Sequence, residues 1–127
     1  METITVTEGD YESPAFVTKD EWKQILSNKD IIKRSYIDAL IAFYLEPGHK
    51  STCKALGDKY NLHHNIFNVA ITQFGKQVQK QLNRFQIVSN DGSQIYWRIA
   101  MTGRYDSSNL FEWKMRDELV EAMKDLN

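Results

Sequence analysis

The chain has 127 residues, of which 42% are apolar and 12% aromatic, enough hydrophobic material for one domain with its own core. Charged residues make up 26%, which argues against wholesale disorder, and a net charge of −1 excludes binding to polyanions through overall charge. A single cysteine, Cys53, excludes an internal disulfide framework and suits a reducing compartment.

Residues 1–15 read as a flexible N-terminal arm and residues 16–127 as a single domain. The first fourteen residues hold four acids and no base, the opposite of an export signal, so a cytoplasmic location is expected. Thr3, Ile4, Thr5 and Val6 favour extended backbone before Gly9 and Pro14 interrupt. Thr18-Lys19-Asp20-Glu21 has capping-box spacing, with Val17 and Trp22 placed as a hydrophobic staple, and predicts a helix over 18–27. Asp30 is a candidate cap for a second helix over 31–45, in which Ile32, Tyr36, Ile37, Leu40, Ile41 and Tyr44 form an apolar stripe. Glu46-Pro47-Gly48 ends it. The apolar run at 36–45 is too short to span a bilayer, so no membrane contact is expected.

Ser51 is a candidate cap for a helix over 52–60, followed by Asn61, which tolerates the left-handed conformation of a tight turn. A longer helix over 64–82 turns Ile66, Phe67, Ala70, Ile71, Phe74, Val78 and Leu82 inward, completing a helix-turn-helix pattern. Phe85–Val88 and residues 94–101 flank Ser89-Asn90-Asp91-Gly92-Ser93 and predict a β-hairpin. Alternation puts Ile95, Trp97, Ile99 and Met101 on its buried face and Gln94, Tyr96, Arg98 and Ala100 on the other. A loop over 103–109, a short strand over 110–113 and a helix over 116–126 close the chain, the helix facing Leu119, Val120, Met123 and Leu126 inward. This order predicts an α+β, mainly helical fold like a winged helix-turn-helix: two N-terminal helices, the helix-turn-helix, a β-hairpin wing and a C-terminal helix.

Charge is segregated. Residues 50–84 hold six basic residues and one acid, net +5, leaving ten basic and sixteen acidic residues, net −6, elsewhere. A local anion-binding face is the expected product of such segregation. Outside the apolar stripe of the 64–82 helix lie His64, Asn65, Asn68, Thr72, Gln73, Lys76 and Lys80. Amides and imidazole suit base edges and lysines suit phosphates, with Lys54, Arg98 and Arg104 as further phosphate contacts.

Other constellations carry less. Cys53, His49, His63 and His64 lack the paired ligand spacing of a zinc site, and Cys53, read in mid-helix, is better taken as a small buried hydrophobe. Asp106, Glu112 and Lys114 imitate the acid-then-Glu-x-Lys pattern of metal-dependent nucleases without the larger sheet that chemistry uses. Trp97, Phe111 and Trp113 are expected in the core rather than as a stacking surface. No cofactor, metal or catalytic residue is expected.

Two segments carry a family resemblance. Thr52-Cys53-Lys54-Ala55-Leu56-Gly57-Asp58-Lys59-Tyr60 with Asn65-Ile66-Phe67-Asn68 is the first. The second comprises Tyr96-Trp97, Gly103-Arg104, Phe111, Trp113-Lys114-Met115-Arg116-Asp117-Glu118-Leu119 and Glu121-Ala122. Together they resemble the small accessory domain beside the AAA+ GTPase of McrB-like modification-dependent restriction proteins and in some HNH endonucleases. The chain departs from that pattern at Gly57, where a helix former is usual, and at Asn61, where a glycine is usual. The resemblance implies a bacterial or phage defence context, with a nuclease or AAA+ GTPase subunit or domain as partner. The expectation is a non-catalytic module binding double-stranded DNA, the alternative a protein-interaction or oligomerisation module of the same fold.

Overall fold

A computed structural model of the chain describes residues 2–6 and 17–126. Its elements are β1 (Glu2–Thr5), α1 (Lys19–Leu26), α2 (Arg34–Tyr44), β2 (Lys50–Thr52), α3 (Cys53–Tyr60), α4 (Asn65–Leu82), β3 (Phe85–Val88), β4 (Met101–Tyr105), β5 (Phe111–Met115) and α5 (Asp117–Leu126). The fold is α+β, with one antiparallel sheet in the order β2-β5-β4 and a parallel pair, β1 with β3. Within the expected arm, Glu2–Thr5 pairs with Phe85–Val88 and Val6 is buried; residues 7–15 lie outside the described residues. No helix among the described residues is long and apolar enough to cross a membrane.

Local chemistry starts α1 as expected. The Thr18 hydroxyl accepts from the Glu21 N–H, Glu21 accepts from the Thr18 N–H, and Val17 and Trp22 are both buried. Asp30 does not cap α2. The Asn28 side chain accepts from the Asp30 N–H at 2.9 Å and holds residues 28–30 in a turn of their own, so the helix begins at Arg34. Thr52, not Ser51, caps α3: the helix begins at Cys53, and the Thr52 hydroxyl accepts from the Ala55 N–H at 3.0 Å.

The core forms where α1, α2 and α4 meet. Trp22 stacks on Phe74 with ring centroids 5.9 Å apart, and Tyr36 lies 5.8 Å from the same ring. Leu40, Phe43, Leu56, Ile71, Val78, Ile87, Met101, Met115 and Leu119 fill the space around them. Leu126, expected inward, is 48% exposed at the last turn of α5, where Ala122 takes the buried position.

The expected hairpin is the main correction. Its turn exists: the Ser89 and Gly92 N–H groups donate to Ser93 and Ser89 carbonyls, and Gly92 takes a φ of 85°. Beyond a single bridge, Val88 to Gln94, the second strand does not follow. Residues Tyr96–Ile99 form a 3-10 turn, and Arg98, Ile99, Ala100 and Met101 are buried in succession instead of alternating. The turn packs on α4 so closely that a Cβ on Gly75 would lie 2.0 Å from the Tyr96 carbonyl oxygen. The hairpin of the fold is β4–β5, closed by Asp106, whose carboxylate accepts from the Ser108 and Leu110 N–H groups at 2.9 Å each.

Two predictions follow from this packing. Alanine is the better helix former, yet Gly75→Ala forces α4 off the 96–99 turn and is expected to cost about 1–3 kcal/mol, seen as a lower urea midpoint. Hydrogen bonding from Arg84 holds the Glu21 carboxyl down at about 2, against an ordinary 4.5, with the Thr18 N–H adding to it and burial opposing. A lowered acid stabilises the fold fully above the ordinary value and loses that contribution as pH falls through about 2. Glu21→Gln keeps the capping geometry and removes the ion pair. The pair is partly water-screened, so the variant should be less stable at pH 7 by about 1 kcal/mol at most, and the difference should vanish in thermal melts between pH 4.5 and 2.

Candidate nucleic-acid interface

The turn between α3 and α4 is built from the backbone outward. Asn61 adopts φ 57° and ψ 45°, and its N–H and that of Leu62 both donate to the Gly57 carbonyl. A Cβ at Gly57 would stand 2.7 Å from the Leu62 carbonyl oxygen, so the returning chain needs a glycine there. This is a physical reason for the glycine in a helical position.

Beyond the turn, α4 buries Phe67, Ala70, Ile71, Phe74, Gly75 and Val78. Asn65, Asn68, Gln73, Lys76 and Lys80 are exposed and Thr72 is half-buried, its hydroxyl donating to the Asn68 side-chain oxygen at 3.3 Å. His64 precedes the first turn and stacks on His63, ring centroids 4.4 Å apart. Helical spacing places Asn65, Thr72 and Lys76 along one outward line, with Gln73 toward α2 and Asn68 toward the 96–99 turn.

Lys54 lies on the exposed side of α3, 3.2 Å from Asp58. With His63, His64 and Leu110 it lines a hollow of about 520 Å³, which brings the β4–β5 loop beside the α3–α4 turn. Arg104, on β4 one pair from that loop, is exposed with Nε 3.5 Å from Glu112. Arg98 is a correction. It is 5% exposed, its guanidinium stacks on Trp97 at 4.9 Å, and its carbonyl accepts from Arg116 at 2.6 and 2.9 Å, so it offers no charge to a surface ligand.

Ile66 is a second correction: expected inward, it is 49% exposed. It joins Ile41, Leu45, Tyr60, Leu62 and Val69 in lining a trough between α2 and the α3–α4 pair, two adjoining hollows of about 510 and 520 Å³. Ile41 was also expected to be buried; α2 instead turns Ala39, Ala42 and Phe43 into the core. Val69, 56% exposed beside Asn65 and Gln73, is a surface residue the sequence reading missed, although its helical angle alone places it opposite the apolar stripe.

The remaining constellations have structural work. Trp113 is buried, and Trp97 and Phe111 are half-buried in a ring series running from Phe43 through Trp113, Trp97 and Phe111 to exposed Tyr105. Glu112 sits between Lys50 and Arg104, from the strands on either side. Cys53 begins α3 rather than lying in mid-helix, and burial pushes its thiol up to about 11. Among the described residues no group of three side chains is placed to hold a metal ion. Compared with known protein families, curated proteins and solved structures, the chain matches none.

The turn is open to a direct test. Asn61→Gly should leave stability close to that of the parent, whereas Asn61→Val should lose about 1–2 kcal/mol in chemical denaturation, because a β-branched residue resists the left-handed conformation.

Proposed function

We propose that the chain is a non-catalytic, DNA-binding accessory module with a winged-helix arrangement. Support for the arrangement comes from the succession α2, β2, α3, α4, β4, β5 with sheet order β2-β5-β4, which puts a three-stranded antiparallel sheet beside the helix-turn-helix. The β4–β5 hairpin then takes the part of the wing. The observation that carries the function is the uncovered outer face of α4, where polar side chains from Asn65 to Gln73 are followed by Lys76 and Lys80. Inserted in a major groove, that face would set amides against base edges and lysines against phosphates, with Arg104 and Lys54 at the flanks. The resemblance to McrB-like accessory domains supports a defence or restriction setting, with a nuclease or AAA+ GTPase as partner.

The test is binding to unmodified and base-modified duplexes across a salt series. Affinity should fall linearly in log–log form, and Lys76→Ala should reduce the slope by about 1. A flat salt response, or no binding to any duplex, overturns the proposal. The trough between α2 and α4 favours a second reading, a protein-interaction module, since contiguous exposed apolar surface marks association sites. Mass that rises with concentration in light scattering, without nucleic-acid affinity, would select it.

A further inference from the structure

The first turns of α4 hold a chemically narrow set of groups. From Asn65 through Gly75 the helix has no lysine, arginine, aspartate or glutamate; its first cation is Lys76. Exposed there are two asparagines, a glutamine, Ile66 and Val69, with Thr72 half-buried. In the major groove, guanine is most often taken by the paired donors of arginine or lysine, and the cytosine amino group by a carboxylate. Adenine is taken by the donor–acceptor pair of a side-chain amide. The 5-methyl of thymine is the apolar group on these base edges.

Val69 sharpens the assignment. It is 56% exposed and lies one helical turn after Asn65 and one before Gln73. A β-branched apolar residue on a solvent-facing helix position contributes little to folding there and is a poorer helix former than glutamine or lysine. Flanked by two amides, its methyl groups are spaced to meet a thymine methyl next to amide-bound adenines.

We infer that α4 reads A·T base pairs in the major groove, with Val69 against a thymine 5-methyl group and Asn65 and Gln73 as adenine contacts. The inference rests on the DNA-binding reading above and names the base chemistry of the same face.

The experiment compares three duplexes of equal length at one salt concentration by fluorescence anisotropy. One is A·T-rich, one G·C-rich, and one is the A·T-rich duplex with uracil replacing every thymine. The parent protein should prefer A·T over G·C by about tenfold or more. It should lose about fourfold on uracil for each contacted methyl. Val69→Ala, whose folding is checked by circular dichroism and thermal melting, should bind the thymine and uracil duplexes alike. Binding with equal affinity for A·T and G·C overturns this inference and leaves the DNA-binding reading standing. A uracil penalty that persists in Val69→Ala overturns the role of Val69. Absence of binding to all three duplexes overturns the DNA-binding reading and this inference with it.

Discussion

Gly75 lets the backbone of α4 approach the Tyr96 carbonyl until no side-chain atom fits between them; a Cβ there would stand 2.0 Å from the oxygen. A helix has one rotational degree of freedom about its axis, and a contact this close removes it. Phe74 is thereby directed between Trp22 and Tyr36, and Ile71 and Val78 into the core. Asn65, Thr72 and Lys76, on the opposite side of the cylinder, are turned outward by the same constraint. The surface available for recognition is thus set from the interior, by packing between α4 and a 3-10 turn.

That turn also governs the electrostatics. It carries Arg98 inward onto Trp97, while Arg116 donates to the Arg98 carbonyl, and burial first of all draws the Arg116 guanidinium down to about 10. The net +5 of residues 50–84 is offset in the fold by acids from outside the segment: Arg84 pairs with Glu21, Lys59 with Glu46, and Lys50 stands 4.0 Å from Glu112. Lys54 pairs with Asp58, the acid already counted within it. Lys76 and Lys80 belong to none of the ion pairs among the described residues, though Lys76 also lies over the Tyr96 ring at 5.9 Å. A charge census along the chain therefore overstates the field the surface presents.

What was legible in the sequence was the chemistry that acts over a few residues. The Thr18–Glu21 box, the left-handed Asn61 and the buried side of α4 from Phe67 to Val78 all depend on neighbours within a turn or two. The illegible parts were decided from a distance. Ser51 and Thr52 are equally good caps by residue type, and only the end of the β2–β5 pairing at Thr52, which starts α3 at Cys53, makes Thr52 the cap. Residues 94–101 alternate like a strand, yet the sheet has its partners in β2, β4 and β5, and contact with α4 winds 96–99 into a helical turn. Arg98 has no local signal for burial, since its carbonyl is held by a residue eighteen positions later. In the candidate site, the polar residues of α4 and the outward angle of Val69 were open to periodicity, whereas the exposure of Ile66 depends on how far α2 covers it.

The same coverage relates the two functional readings. Asn65, Val69 and Gln73 line the hollow of the trough that faces Lys33 and Tyr36 and also stand on the outer face of α4, while Lys76 and Lys80 lie further along the helix, outside it. A protein seated in the trough would cover the groups proposed to read bases and leave the lysines exposed. On the proposed reading, such a complex would retain phosphate attraction and lose base discrimination, because the amides and the lysines occupy successive turns of one helix. A partner in the trough would thus alter the selectivity of α4 before its affinity. If both proposed readings hold, DNA recognition and protein docking would compete for Asn65, Val69 and Gln73.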